Sequence, residues 1–358
     1  MGDPEIRFDR RGVAGIVTLD RPAALNAVTL AMVRLLAAQL EAWRQDGAVS
    51  RVIVTAAGSR AFSAGGDLRQ IYEAGRAGRQ RDSIAFWRAE YALNAAIKRY
   101  PKPYVALIDG LVMGGGVGVS VHGSHRVAGD HFAFAMPEVG IGFFPDVGAT
   151  WFLPRLPGEV GTYCALTGER LDAADGVATG VATHRVDSGS FGELADALCG
   201  AVSVDAILAA FSSTASRPAG EKSGGPVMAG SAAIDRIFAA PTVEDIVRRL
   251  EAESSTGSGD AQWARATAAA IRAKAPLSLK IALEQMRRGR NWSFEECMTA
   301  EFRIVSRVAY GEDFYEGIRA VIIDKDNRAR WRPATLAEVT DETVARHFAP
   351  LDEELALP

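Results

Sequence analysis

The chain has 358 residues, of which 48% are hydrophobic and 23% are charged, and its formal net charge is -4. This composition is typical of a globular protein and excludes the disordered and fibrous classes. A weakly negative chain has no general attraction for nucleic acid or for an anionic membrane surface, so we expect neither as a partner.

The N-terminal residues lack the basic opening and apolar run of a secretory signal peptide, and no stretch approaches about eighteen uncharged apolar residues. We therefore expect a cytoplasmic protein. Cys164, Cys199 and Cys297 are widely separated and form no CxxC pair. This spacing indicates buried thiols rather than disulfides or metal ligands.

Runs of β-branched residues alternate with helical patterns in the first half of the chain. The patterns predict strands over 13–19, 52–55 and 104–108, and helices over 29–43 and 82–98. Because strands and helices alternate, we expect an α/β core with parallel strands.

Two glycine-rich segments offer backbone amides that a ligand can approach closely. Gly65 and Gly66 precede Asp67, where a helix is predicted to begin with its first amides unpaired. The second segment, 113–118, reads Met-Gly-Gly-Gly-Val-Gly, and the carboxylates of Glu138 and Asp146 follow it. Bare amides and carboxylates are needed to polarise a carbonyl group and to move protons beside it. The pattern indicates an enzyme that acts on an acyl group.

The segment 211–232 is rich in Gly, Ser and Pro, a composition that favours coil. We therefore predict a core over 1–210, a linker over 211–232 and a helical region over 233–358. Amphipathic patterns in the last region predict helices over 243–253, 263–273, 278–287 and 294–310.

Several of these segments resemble a known family. Residues 61–68, the glycine run 114–118 and the stretch 136–142 resemble the crotonase, or enoyl-CoA hydratase/isomerase, superfamily. More narrowly, segments including 104–123, 134–155 and 313–326 are similar to its 3-hydroxyisobutyryl-CoA hydrolase subfamily, and the match spans nearly the whole chain. The resemblance implies a crotonase-like spiral of ββα units followed by a helical C-terminal region. It also implies hydrolysis of a short 3-hydroxyacyl-CoA thioester in valine degradation, with coenzyme A as part of the substrate and no separate cofactor.

The resemblance further implies roles for individual residues. The amides of Gly66 and Gly115 match positions that hold the thioester oxygen, as an oxyanion hole does. Glu138 matches the catalytic carboxylate, which acts as general base on water or as nucleophile, and Asp146 assists it. Glu90 matches a position that meets the substrate.

One position departs from the general pattern of the superfamily. Its hydratases use two glutamates, and the position of one of them corresponds to Gly118 here. A hydratase would therefore lack half of its acid/base pair. Because a delta-isomerase needs only one carboxylate, hydratase or isomerase activity of the same fold stays an alternative. A catalytically silent acyl-CoA-binding protein is a second alternative, from another class.

Each candidate residue also has a purely structural interpretation. Glu138 follows a proline and could be a helix N-terminal residue, while Asp146 could be a turn or N-cap residue. Glu90 could lie on a solvated helix face. Gly66 and Gly115 could serve only tight turns.

The remaining features are less specific. A GxSxG motif is incomplete in 118–122, and the five histidines form no HExxH pattern, so we expect neither a serine nucleophile nor a metal site. Aromatic residues at 143, 144, 151 and 152 could wall a short acyl pocket or belong to the core. A homo-oligomer is one alternative for the assembly. Candidates for contacts with the CoA phosphates are Arg60, Arg69, Lys280, Arg319 and Lys325.

Overall fold

The computed structural model describes residues 4–214 and 225–358. Its strands form a 6-stranded sheet, in the order β1-β2-β3-β5-β7-β9, and a 3-stranded sheet, in the order β4-β6-β8. The strands are β1 (Ile6–Arg11), β2 (Ala14–Leu19), β3 (Arg51–Ala56), β4 (Ala61–Ser63), β5 (Tyr104–Ile108), β6 (Leu111–Met113), β7 (His125–Ala128), β8 (Ala133–Ala135) and β9 (His184–Arg185).

The strands are arranged in repeating pairs. β1 and β2 are antiparallel, and the other paired strands of both sheets are parallel. In each of the pairs β3/β4, β5/β6 and β7/β8, the first strand joins the large sheet and the second joins the small one. Helical segments follow each pair, so the chain winds as a spiral of ββα units. The predicted α/β class and spiral are confirmed.

Helices surround the sheets and make up the region after residue 225. Those of the first part are α1 (Leu30–Gln45), α2 (Leu68–Arg76), α3 (Gln80–Lys98), α4 (Gly115–Gly118), α5 (Ala149–Phe152), α6 (Val160–Thr167), α7 (Ala173–Thr179), α8 (Phe191–Leu198) and α9 (Val204–Thr214). Those of the second part are α10 (Pro226–Ala229), α11 (Ser231–Phe238), α12 (Val243–Ser254), α13 (Ala261–Arg272), α14 (Pro276–Gly289), α15 (Phe294–Val308), α16 (Glu312–Ile318) and α17 (Asp341–Phe348). A π-helical turn, Arg319–Ile323, continues α16.

Local sequence explains where several of these helices begin. Thr29 caps α1 by accepting a 3.2 Å hydrogen bond from the Met32 amide, and Asp67 caps α2 in the same way through Gln70. Ser293 and Glu296 form a capping box at the start of α15. The predicted strands and helices are present, and their ends differ from the predictions by about two residues at most.

The predicted division into domains stays a prediction. Both ends of the segment 211–232 are helical, in α9 and in α10 with α11, and residues 215–224 lie outside the described residues. Side chains of the second part, such as Leu283 and Phe302, belong to the same hydrophobic cluster as Val17 and Val54 of the large sheet. The two parts therefore share one core.

Two further expectations concern the thiols and the membrane. Cys164 and Cys297 are buried and free, as predicted, but Cys199 is only half-buried, so its predicted burial is wrong. Cys199 lies directly after α8, where its Sγ donates to the carbonyl oxygen of Ala195 in that helix at 3.2 Å. Within 4–214 and 225–358, no helix has the length and apolar character needed to span a membrane.

Candidate active site

The five predicted site residues line one cavity of about 420 Å³, which we call the acyl cavity after the predicted substrate. These residues are Gly66, Glu90, Gly115, Glu138 and Asp146. They arrive from different elements: Gly66 precedes α2, Glu90 lies in α3, Gly115 begins α4, and Glu138 and Asp146 follow β8. The remaining wall is mostly apolar and includes Phe86, Trp87, Phe143, Ile141, Val321 and Ile322. The cavity therefore joins a polar cluster to an apolar wall, as ligand sites commonly do.

The two candidate amides lie side by side because β4 and β6 are neighbouring parallel strands. A Cβ atom on Gly115 would lie 3.4 Å from the Gly66 nitrogen and only 2.5 Å from Oε1 of Glu90. Neither the Gly66 nor the Gly115 N–H donates a hydrogen bond to another described residue. This geometry requires glycine at 115 and leaves two adjacent donors for a ligand oxygen.

Three carboxyl groups line the same cavity as these donors. Glu90, Glu138 and Asp146 are 2%, 6% and 4% exposed. The solvated-face interpretation of Glu90 is therefore wrong, because the residue lies on the buried side of α3. Oε1 of Glu90 and Oε2 of Glu138 have no hydrogen-bond partner among the described residues. Buried polar atoms are rarely left unpaired, so both oxygens are available to a ligand or to water.

The structural interpretations of Glu138 and Asp146 have different outcomes. Glu138 is the first residue of a short 3-10 turn, Glu138–Ile141, so it occupies a helix start and lines the cavity as well. Asp146 is not an N-cap, because Gly148 holds that position before α5, but it does begin a turn, since its carbonyl oxygen accepts a 2.9 Å hydrogen bond from the Ala149 amide. Its Oδ2 accepts a 2.9 Å hydrogen bond from the Tyr91 hydroxyl.

Burial and mutual repulsion control the ionisation of the cluster. Burial raises the pKa of Asp146 to about 7, although the Tyr91 hydrogen bond opposes the rise. Burial, and secondarily the charge of Asp146, raises the pKa of Glu138 and of Glu90 well above the ordinary range. Because the charge of Asp146 disfavours ionisation of both glutamates, the three carboxyl groups titrate as a coupled set.

The space beside Gly118 is already occupied. A Cβ atom there would lie 2.7 Å from Nδ2 of Asn94 and 3.0 Å from Cβ of Val147. Asn94 is fully buried one helical turn after Glu90. A longer side chain at 118, such as the glutamate of the superfamily's hydratases, does not fit this packing.

The five residues proposed to contact the CoA phosphates differ in their surroundings. Arg60 lines a neighbouring cavity that shares Leu25 with the acyl cavity. Arg319 forms salt bridges with Glu316, Asp324 and Asp326. Lys280 forms one with Glu244, so both cations already have acidic partners within the protein. Arg69 lies near the Ile322 carbonyl oxygen at 3.5 Å, and Lys325 is exposed.

The aromatic residues and the incomplete GxSxG segment are also placed. Phe143 lines the cavity, whereas Phe144 and Phe152 belong to the core. Trp151 forms a cation–π contact with Lys98, whose Nζ lies 4.0 Å from the ring centroid. Ser120 donates to the Gly116 carbonyl oxygen at 2.8 Å, and His122 contacts the Val147 carbonyl oxygen, so neither side chain faces the cavity. No group of His, Cys, Asp and Glu suited to a metal ion occurs among the described residues.

Sequence reasoning missed several residues that build the site. Tyr91, Asn94 and Lys274 were not singled out, and Lys274 lines both the acyl cavity and a second cavity beside it. Tyr91 and Asn94 share the buried side of α3 with Glu90, so helical spacing was the available signal for them. Lys274 follows α13, and no local pattern connects it to Gly140, beside which its Nζ lies.

Comparisons with known proteins cover nearly the whole chain. The sequence model described as enoyl-CoA hydratase/isomerase matches residues 14–348. Curated relatives named mitochondrial 3-hydroxyisobutyryl-CoA hydrolase include the Danio rerio protein, 44% identical over 98% of this chain and 90% of that protein. The Homo sapiens protein of the same name is 42% identical over 97% of this chain and 89% of that protein.

Two solved structures are similar throughout but carry other names. One is a carnitinyl-CoA dehydratase from Mycobacterium thermoresistibile, 41% identical, with a TM-score of 0.90 and coverage of 99% of each chain. The other is an enoyl-CoA hydratase from Rhodobacter sphaeroides 2.4.1, 37% identical, with a TM-score of 0.88 and coverage of 99% of this chain and 100% of that one.

Proposed function

We propose, from the premise that this chain belongs to the enoyl-CoA hydratase/isomerase family, that it hydrolyses the thioester bond of a short 3-hydroxyacyl-CoA. The preferred substrate is 3-hydroxyisobutyryl-CoA, and the products are 3-hydroxyisobutyrate and coenzyme A. This reaction belongs to valine degradation. Curated relatives at 42% and 44% identity carry the name of that hydrolase, which supports the assignment.

One observation carries the choice of hydrolysis over hydration. Asn94 and Val147 occupy the space that a second catalytic glutamate at position 118 would need. Three other carboxyl groups remain around the paired glycine amides. Such a site has an oxyanion hole and a base, which suffice to attack a thioester but do not form the two-glutamate pair of a hydratase.

In the proposed reaction, the amides of Gly66 and Gly115 bind the thioester oxygen and stabilise the negative charge that develops on it. Loss of one such donor typically costs roughly 3 kcal/mol of transition-state stabilisation. Glu138 acts as a carboxylate by one of two routes. It removes a proton from the attacking water, or it attacks the acyl carbon itself to give a mixed anhydride that water then cleaves.

Both routes end in the same balance of atoms. The carbon–sulfur bond breaks, water supplies the hydroxyl oxygen of the acid, and the thiolate takes up the remaining proton. Asp146 and Glu90 bind the substrate hydroxyl or the water beside Glu138. Because burial raises the pKa of Glu138, it is a stronger base than a solvated glutamate once it has ionised.

The remaining features of the substrate and the protein are part of this proposal. Arg60 lies in the cavity that adjoins the acyl cavity at Leu25, which makes it our candidate for a CoA phosphate contact. Coenzyme A enters as part of the substrate, and the reaction needs no separate cofactor. A cytoplasmic location stays a prediction, since the curated relatives are named as mitochondrial proteins. The oligomeric state is likewise untested.

Hydration is the second candidate function, because the two similar solved structures are named as a dehydratase and a hydratase. The two functions differ in one readily measured product. Incubation with 3-hydroxyisobutyryl-CoA should release free thiol, which a thiol-reactive dye detects, whereas crotonyl-CoA should keep its double bond. Hydration of crotonyl-CoA without thiol release would favour the second candidate. Binding of both thioesters without turnover would favour a silent acyl-CoA-binding protein.

A further inference from the structure

We propose that Glu301, on α15 of the helical C-terminal part, is a positioning residue that holds the turn carrying Asp146 and so determines how Asp146 meets the substrate. This inference rests on the proposed function. Glu301 lies outside the acyl cavity, and no sequence pattern singled it out.

The first support is a pair of short hydrogen bonds. Oε2 of Glu301 accepts from the Gly148 amide at 2.7 Å, and Oε1 accepts from the Thr150 amide at 2.8 Å. Gly148 is the N-cap of α5 and has no side chain with which to cap it. The carboxylate of Glu301, which is 0% exposed, therefore supplies the acceptors that the start of α5 lacks.

The second support is that this turn needs to be held. Val147 has φ 51°, in the left-handed region that a β-branched residue rarely adopts, and Gly148 follows with φ 89°. Gln285 donates to the Pro145 carbonyl oxygen at 2.9 Å and to Oγ1 of Thr150 at 2.7 Å. His122 contacts the Val147 carbonyl oxygen at 2.7 Å. Pro145 and Val147, the two residues next to Asp146, are thus each held at the carbonyl oxygen by a buried side chain. Glu301 binds the amides of Gly148 and Thr150, which follow shortly after.

The third support is the electrostatic coupling between Glu301 and Asp146. Burial lowers the pKa of His122 to about 4, and Gln285 cannot ionise, so these two partners of the turn are neutral at pH 7. Burial, and secondarily the charge of Asp146, raises the pKa of Glu301 to about 8, although the amides of Gly148 and Thr150 oppose the rise. Asp146, with a pKa of about 7, therefore ionises at lower pH than Glu301, so Glu301 holds the turn without adding a second charge as Asp146 ionises. The other titratable groups that face Asp146 are Tyr91, Glu90 and Glu138.

The test compares Glu301→Gln with a matched control, Asp175→Asn. Asp175 is also a buried carboxylate that accepts backbone hydrogen bonds at a helix start, from Val227 at 3.2 Å and from Met228 at 2.9 Å. It does not line the acyl cavity. Both substitutions replace a buried carboxyl group with an amide and remove one acceptor for backbone amides, so both should lower the Tm. Only the first should change catalysis.

For Glu301→Gln, we expect kcat for thiol release to fall by about tenfold or more, with a smaller change in KM, because the reacting groups are misplaced. We expect the acid limb of the pH profile to stay in place, since Glu301 ionises at higher pH than Asp146. For Asp175→Asn, we expect the kcat and the acid limb of the parent.

Two results would overturn the inference. One is a Glu301→Gln enzyme that loses Tm as Asp175→Asn does but keeps the parent kcat. If Glu301→Gln does not fold, Glu301→Asp replaces it, and under the inference this variant lowers kcat with a smaller change in KM, because the shorter side chain no longer reaches the amides of both Gly148 and Thr150. A parent-like kcat for Glu301→Asp is the second overturning result. Lack of thiol release by the parent itself would instead reject the proposed function, and this inference with it.

Discussion

Nδ2 of Asn94 lies 2.7 Å from the point that a Cβ atom on Gly118 would occupy. Asn94 is fully buried on α3, and neither polar atom of its side chain has a partner among the described residues. The position where the superfamily's hydratases carry a glutamate is thus closed by packing as well as by the identity of residue 118. In this protein, the packing of Asn94 and Val147 leaves no room for that glutamate.

Restoring the glutamate should therefore not restore hydration. We expect Gly118→Glu to destabilise the protein, and Gly118→Ala to do so by roughly 1–3 kcal/mol, as overpacking of a core does. Thermal unfolding measures both effects, and crotonyl-CoA hydration should stay at background. A stable Gly118→Glu enzyme that hydrates crotonyl-CoA would contradict this prediction.

The two candidate oxyanion glycines should respond differently to alanine. A Cβ atom on Gly66 would lie 3.6 Å from the Phe86 ring, an ordinary contact, whereas one on Gly115 would lie 2.5 Å from Oε1 of Glu90. We therefore expect kcat/KM for thiol release to fall by about tenfold or more in Gly115→Ala, and by less in Gly66→Ala. Equal losses in the two variants would argue against the placement of Glu90 beside Gly115.

Loss of the Tyr91 hydroxyl should change the pH profile. Its hydrogen bond lowers the pKa of Asp146, which burial raises to about 7. In Tyr91→Phe that pKa should rise further, so the acid limb of kcat/KM should move to higher pH. A limb that stays in place would show that ionisation of Asp146 does not limit the rate.

The buried carboxyl group of Glu138 should reduce the stability of the protein at pH values above the ordinary pKa of a glutamate. In the folded protein the pKa of Glu138 lies well above its ordinary value, so the native state binds more protons than the unfolded state between these two values. Stability therefore falls as pH rises through this range. Glu138→Gln should remove that loss and stabilise the protein by roughly 0.5–2 kcal/mol at pH 8, with a smaller gain near pH 4. Denaturant unfolding at the two pH values measures the difference, and a destabilised variant at pH 8 would contradict it.

Local patterns in the sequence were sufficient for most of the fold. The β-branched residues of 104–108 predict a strand, and all five residues of that strand are buried. Central strands of a parallel sheet are buried on both faces, which is why they consist of such apolar runs. Helix ends were less certain, since capping and packing decide the last turn. The second helix of the chain began where Asp67 suggested, because its side chain caps that helix.

Only part of the candidate site could be predicted from the sequence. Gly66, Gly115, Glu138 and Asp146 belong to short motifs, and the resemblance located them. The contacts around the Asp146 turn join residues that are distant in sequence. Glu301 is 153 residues from Gly148 and 151 residues from Thr150, whose amides it binds. No periodicity or motif encodes such a contact, because it depends on how α15 packs against the core.

The measurement that tests the central claim most directly is thiol release from 3-hydroxyisobutyryl-CoA by the parent and by Glu138→Ala, with crotonyl-CoA hydration followed in parallel. We predict thiol release by the parent, its loss in the variant, and no hydration by either protein. Circular dichroism of the variant controls for folding. Hydration or isomerisation by the parent without release of thiol would contradict the claim.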